Sequence, residues 1–145
     1  MTPHRSVPER IASGELASPP IAQLLGFRLT QVGADQATIE MDAGPQHANP
    51  MGTLHGGVLC DLADAAMGMA YASGLEAGET FTTLELKINF LKPVWTGRLK
   101  ALGVVVKRGK TIGMGQCDVT DPQGQLIARS SCTMMTLRGD QAKGR

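Results

Sequence analysis

The hydrophobic period of this chain changes sharply between residues 74 and 80, and that change limits the fold more than any other feature. Over VLCDLADAAMGMAYASG, from Val58 to a stop near Gly74, apolar residues recur at helical spacing. From residue 80 onward they recur every second residue, with turn residues between the runs. In TTLELKINFL, Leu84, Leu86, Ile88 and Phe90 are expected to point one way, and Thr83, Glu85, Lys87 and Asn89 the other. RLKALGVVVK, GMGQCDVT and LIARSSCTMMTL read as three further strands. They are joined by turns at Pro93–Gly97, at RGKTIG (108–113) and at Asp121-Pro122-Gln123-Gly124. Ahead of the helix, PPIAQLLG reads as a short helix stopped by Gly26, and FRLTQV with ATIEMD as a hairpin. GPQHANPMGTLHGG (44–57) is too rich in Gly, Pro and Asn for regular structure and reads as a long loop. The expected class is α+β, an antiparallel sheet of successive hairpins with one dominant helix.

At about 100° per residue, Leu59, Leu62, Ala66, Met69 and Ala70 share one face of the long helix. Asp61, Asp64, Ala65, Gly68 and Ala72 lie broadly opposite. That second face is small as well as acidic, so structure is expected to pack against it too, and the helix should be wrapped rather than laid on a surface.

A chain of 145 residues is one domain with room for a core, here assigned to residues 19–138. Residues 1–18, polar and holding Pro3 and Pro8, read as a loosely ordered lead-in, and 139–145 as a polar tail. Fourteen Lys and Arg against thirteen Asp and Glu leave no broad field for nucleic acid or a membrane surface. No run approaches the roughly 20 apolar residues of a membrane span, and the first residues lack a secretory pattern. Cys60, Cys117 and Cys132 are odd in number and far apart, which reads as reduced thiols in a cytoplasm.

Chemistry concentrates in NPMGTLHGGVLCDLAD, Asn49 to Asp64. His55-Gly56-Gly57 falls where loop becomes helix. Backbone N–H groups there lack intrahelical acceptors and sit at the positive end of the helix dipole, which suits an oxygen that becomes negative in acyl transfer. The same glycines serve equally well as a plain helix start. Asp64, nine residues after His55, is either a solvated edge carboxylate or a nucleophile or general base. Asp61, one turn earlier, has the same two readings, and pattern alone does not separate them. Asn49 before Pro50 is most simply a turn residue and Thr83 a strand former. His47 and His55 have no metal-ligand partners at useful spacing, so no metal is expected, and GxSxG, P-loop and dinucleotide fingerprints are missing. Lys107, Arg108 and Lys110 at a hairpin tip form a solvated turn or a partner for an anionic ligand.

Asn49, His55-Gly56-Gly57 and Leu62-Ala63-Asp64, in that order, with the later INFLKPVWTGRL, KRGKTIG and IARSSCTMM, resemble the hotdog-fold acyl-CoA thioesterases of the phenylacetate-pathway group. The likeness spans roughly residues 20–137. It implies an antiparallel sheet wrapped around the long helix, and a homodimer, doubled into a tetramer, with both subunits building each site. By position it makes Asp64 the catalytic carboxylate and the Gly56 N–H the group that polarises the thioester carbonyl. Asn49 and His55 then orient carbonyl and water, and Thr83 positions the water. Asp61 does not match the catalytic position. Gly57, Phe90, Lys92, Pro93, Arg108, Lys110 and Thr111 are the expected contacts to the acyl-CoA. Coenzyme A enters as part of the substrate, and no separate cofactor is implied. Two alternatives are a hotdog enoyl-thioester hydratase or dehydratase and a non-catalytic acyl-CoA binding protein. For the hydratase, Asn49-Pro50 resembles part of the motif, but His47 stands where an Asp belongs.

Overall fold

Six antiparallel strands form one sheet, and the long helix lies across its concave side. The computed structural model describes residues 3–145. In chain order the elements are α1 (Val7–Ala12), α2 (Pro20–Leu25), β1 (Phe27–Gly33), β2 (Gln36–Ala43), α3 (Gly56–Ala72), β3 (Thr80–Phe90), β4 (Gly97–Arg108), β5 (Ile112–Thr120) and β6 (Leu126–Leu137). Across the sheet the order is β1-β2-β4-β5-β6-β3, every pair antiparallel. The class and strand count therefore match expectation. The long helix, however, begins at Gly56, two residues before its apolar run, and the 44–57 loop holds a 3-10 turn at Pro45–His47. His47 is buried there, its Nδ1 accepting from the Gly44 N–H at 3.1 Å and its Nε2–H donating to the Leu25 carbonyl at 2.7 Å.

The core lies between α3 and the sheet. Leu59, Leu62, Ala66 and Ala70 are buried as the periodicity requires, joined by Met67 and Tyr71. Glycines on the inner face of the sheet set how near the helix comes. A side chain at Gly103 would collide with the backbone of Ala66 and Met67, and one at Gly113 with the Tyr71 ring. This close seating puts Tyr71 deep enough for its hydroxyl to meet Thr136 Oγ1 at 2.6 Å. The opposite helix face is covered as well: Gly68 and Ala72 are buried, and the Phe81 ring lies against Gly68.

Strand β3 departs from its expected alternation. Its register against β6 shifts between Thr83 and Glu85, which leaves Leu84 as the extra residue of a β-bulge. Pairing carries Thr83 onto the same side as buried Met134, and after the bulge Leu86 and Ile88 onto the side of Cys132 and Ser130. Thr83 thus faces the helix together with Leu86, Ile88 and Phe90, and Leu84 leaves that set with half its surface exposed. A bulge redirects side chains in this way by adding one residue to one strand only.

The lead-in is built into the structure. Ser6 and Glu9 form a reciprocal capping box at the start of α1, and Pro8 is buried. Glu15 accepts from Arg10 Nε at 2.8 Å, which folds the following turn back onto the helix. Helix α1 packs on β1 and α3, and α2 ends at Gly26, whose φ of 80° is the left-handed cap expected there. At the β1–β2 turn Asp35 takes φ 57°, and its backbone N–H bonds Ser73 Oγ at the end of α3.

Candidate active site

At the start of α3 the two glycines are not equivalent. His55 is the N-cap, and its Nδ1 accepts the Gly57 N–H at 2.9 Å. A neutral ring bonded this way carries its proton on Nε2. The Gly56 N–H, one residue earlier, has no acceptor among the described residues. It is the open donor at the positive end of the dipole. A side chain at either position would crowd a neighbour: a Cβ on Gly56 would lie 2.8 Å from the Phe90 ring, and one on Gly57 2.9 Å from the His55 ring, so in each case the ring would have to move. Phe90, half exposed, therefore walls the open N–H group.

Asp64 sits two turns further along, in the crevice between α3 and β3. The Thr83 hydroxyl donates to its Oδ1 at 3.3 Å, a contact that exists because the Leu84 bulge turns Thr83 inward. Burial pushes the Asp64 carboxyl above the ordinary carboxylate range, the Thr83 hydrogen bond pulls it down in part, and the negative charge of Asp61 pushes it up again. The residue's outer edge meets solvent, and its desolvation is local, coming from the apolar cleft behind it. That cleft holds about 230 Å³ and runs from Asp61, Asp64 and Thr83 toward Ile11, Ile21 and Met69. Asp61 lines it too and is exposed, as the Asp64 residue is as a whole, but its side chain makes no hydrogen bond among the described residues, whereas Asp64 has Thr83 and the desolvating cleft. The environment separates two aspartates that sequence pattern left equal.

The remaining candidates scatter. Asn49 organises its own turn, with Nδ2 donating to Thr53 Oγ1 at 2.7 Å and Oδ1 accepting from the Met51 and Thr53 N–H groups. Lys92 reaches Asp121 and Gln125 across the β5–β6 turn, beside exposed Pro93. Arg108 is engaged inside the chain. It binds Asp35 Oδ1 at 2.6 Å, donates to the Tyr71 carbonyl at 2.7 Å and lies 4.1 Å above the Tyr71 ring centre. The expectation of a free hairpin-tip cation there gives way to a tie between sheet and helix, because the register shift after Val105 puts Arg108 opposite Gly113 on the inner face. Lys110 and Thr111 remain exposed at the tip. Sequence reasoning passed over the cleft lining, above all Ile11, Ile21, Met69 and Phe81, since apolar residues drawn from separate elements share no spacing.

Residues 51–128 match the thioesterase superfamily, over half of the chain, and the chain belongs to that family. It is a thioester hydrolase of the hotdog fold. Mouse acyl-coenzyme A thioesterase 13 is 30% identical over 107 residues, covering 72% of this chain and 76% of its own. The 1,4-dihydroxy-2-naphthoyl-CoA hydrolase of Listeria monocytogenes is 26% identical, over 79% of this chain and 93% of its own. Among solved structures, the PaaI protein from the phenylacetic acid degradation operon of E. coli superposes with a TM-score of 0.82 at 25% identity, covering 91% of this chain and 94% of that one. No helix of the described residues is long and apolar enough to cross a membrane.

Proposed function

We propose that this thioester hydrolase cleaves an acyl- or aryl-CoA to the free carboxylic acid and coenzyme A, with Asp64 as the reacting carboxylate. The observation that carries this reading is the Asp64–Thr83 pair at the mouth of an apolar cleft, where the carboxyl is held above its ordinary range. A carboxylate so shifted is a better proton acceptor near neutral pH. In one mode it takes a proton from water as the water oxygen attacks the thioester carbon. In the other, an Asp64 oxygen attacks, the C–S bond breaks to release the CoA thiolate, and water then hydrolyses the anhydride. In both, negative charge gathers on the carbonyl oxygen, and the open Gly56 N–H is the donor for it. Thr83 holds the carboxylate, and the Nε2–H of His55 with the Asn49 turn borders the carbonyl. Asp64→Ala should lower kcat at least a hundredfold, on the scale of losing an oxyanion donor (about 10²–10³). A folded variant with near-normal turnover on a panel of thioesters would falsify the assignment. Single-turnover hydrolysis in ¹⁸O-water separates the modes, since label enters Asp64 only through the anhydride.

One chain does not assemble this site alone. Eight residues of helix separate Gly56 from Asp64, about 12 Å along the axis, whereas both groups must lie roughly 3 Å from one thioester. We therefore read the working unit as a homodimer in which the Gly56 N–H of one subunit faces the Asp64 of the other. Doubling into a tetramer follows from the resemblance, and sedimentation of the purified protein reads both states. The nucleotide end of coenzyme A is assigned to the exposed side of the site, with Phe90, Gly57, Pro93, Lys110 and Thr111 as contacts. Phosphate binding by Arg108 or Lys92 requires exchange of an internal partner. The three free thiols, two of them buried, support a reducing, cytoplasmic setting.

A further inference from the structure

We propose that the N-terminal segment, residues 11–21, selects the acyl group by closing the far side of the cleft that opens beside Asp64. The inference rests on Asp64 being the reacting carboxylate and adds what that carboxylate is offered. Ile11 of α1, Ser18 and Pro19 of the connecting stretch and Ile21 of α2 line this cleft, facing Met69 of α3 and Phe81 of β3. None of the four belongs to the sheet or to the long helix, so the wall they form can vary without touching the frame that holds Asp64 and Thr83. The wall is fixed in place: the capping box sets α1, Glu15 ties back to Arg10, and Gln23 Nε2 donates to the Ser18 carbonyl at 2.7 Å.

Volume and charge then define the occupant. An apolar cavity of about 150 Å³ accepts benzene, and a water-sized group takes about 30 Å³. At about 230 Å³ the cleft admits roughly seven or eight heavy atoms beyond the carbonyl, the bulk of an octanoyl chain or of a ring with a one-carbon arm. The ionisable groups that line it are Asp61 and Asp64, both acidic, so the acyl group is neutral. A terminal carboxylate would enter with no cation to meet it.

The experiment measures kcat/KM for straight-chain acyl-CoA esters from butanoyl to palmitoyl, with glutaryl-CoA, on wild type and on Ile11 and Ile21 variants. In wild type, kcat/KM should rise about fourfold per methylene toward octanoyl, as burial of each one predicts, and stop rising beyond it. Glutaryl-CoA should fall at least about a hundredfold below hexanoyl-CoA. Ile11→Ala should move the optimum to decanoyl or dodecanoyl. Ile11→Trp should cost octanoyl-CoA tenfold or more and leave butanoyl-CoA within threefold. Ile21→Ala and Ile21→Trp, at a half-exposed position, repeat both tests if an Ile11 variant does not fold. An unchanged chain-length profile in folded variants overturns the proposal. Activity retained by Asp64→Ala overturns the underlying reading instead. With Asp64→Ala inactive, a flat response to the wall variants sinks only the wall.

Discussion

The two edges of the sheet are finished differently. Strand β1 is short, bulged at Thr30, packed by α1 and α2, and tied through the β1–β2 turn by the Asp35–Arg108–Tyr71 contacts. Strand β3 is eleven residues long, pairs on one side only, and carries both Thr83 and the exposed Leu84 bulge. A long open edge is a template for another strand, and proteins usually cover one that has no use. The proposed acyl selection lies on the covered edge, and the proposed dimer contact and reacting carboxylate lie on the open one.

The sharpest way to break this contrast is to charge each edge in turn. If two copies share each site across β3, as proposed, Leu84→Asp should leave the protein monomeric in light scattering and reduce turnover at least a hundredfold. Thr30→Asp, at the β1 bulge, should change neither mass nor rate. Equal effects at the two edges would end the distinction. Arg108→Ala comes next in size. It removes an ion pair, a backbone hydrogen bond and the stacking on Tyr71, and should cost about 1–3 kcal/mol. For a chain this long that is a fall in Tm of roughly 2–10 °C. Acyl-CoA turnover below the new Tm should be kept, whereas Lys110→Ala should raise KM with kcat unchanged.

Smaller effects concern the titration of Asp64. Thr83 lowers its pKa and Asp61 raises it, so the two variants must act in opposite directions. Thr83→Ala should move the acid limb of kcat/KM to higher pH, and Asp61→Asn should move it to lower pH. The other ionisable groups near Asp64, Cys60 on the same helix, Glu85 on β3 and Cys132 on β6, are unaltered in both variants. Smallest of all is a gain in stability. A carboxyl whose folded pKa is raised stabilises the fold below its unfolded pKa, and that contribution is lost as pH rises through the folded value. Asp64→Asn should therefore melt slightly higher than wild type at pH 7, with the advantage gone near pH 3.

Sequence pattern delivered the helix, the strands and the family motif because each is local and periodic. Leu62 and Ala66 fall on a buried face for the same reason that spacing placed them there. Gly26 ends α2 because only its left-handed backbone suits that cap. The departures share a cause of another kind. Arg108 and Thr83 changed sides because each lies just past or just before an extra strand residue, and nothing in the neighbouring side chains marks that insertion. Asn49 is held by its own turn, as Asn before Pro allows, and its place beside a thioester rests on family likeness alone. The cleft beside Asp64 was invisible because its walls are brought together only by tertiary packing. Of the cysteines, two are buried, and burial pushes Cys117 up to about 12 and Cys132 up to about 11, whereas Cys60 is only partly buried.

The bulge at Leu84 means that β3 is read in two frames. Odd positions face inward up to Thr83, and even positions do so from Leu86 onward. Substitutions along the strand are therefore tolerated by different rules on its two halves. Removing residue 84 would restore a single unbroken alternation that keeps Phe81 and Thr83 facing inward together with Leu86, Ile88 and Phe90. One further residue inserted after Glu85 and paired into the ladder would instead turn Leu86, Ile88 and Phe90 out to water.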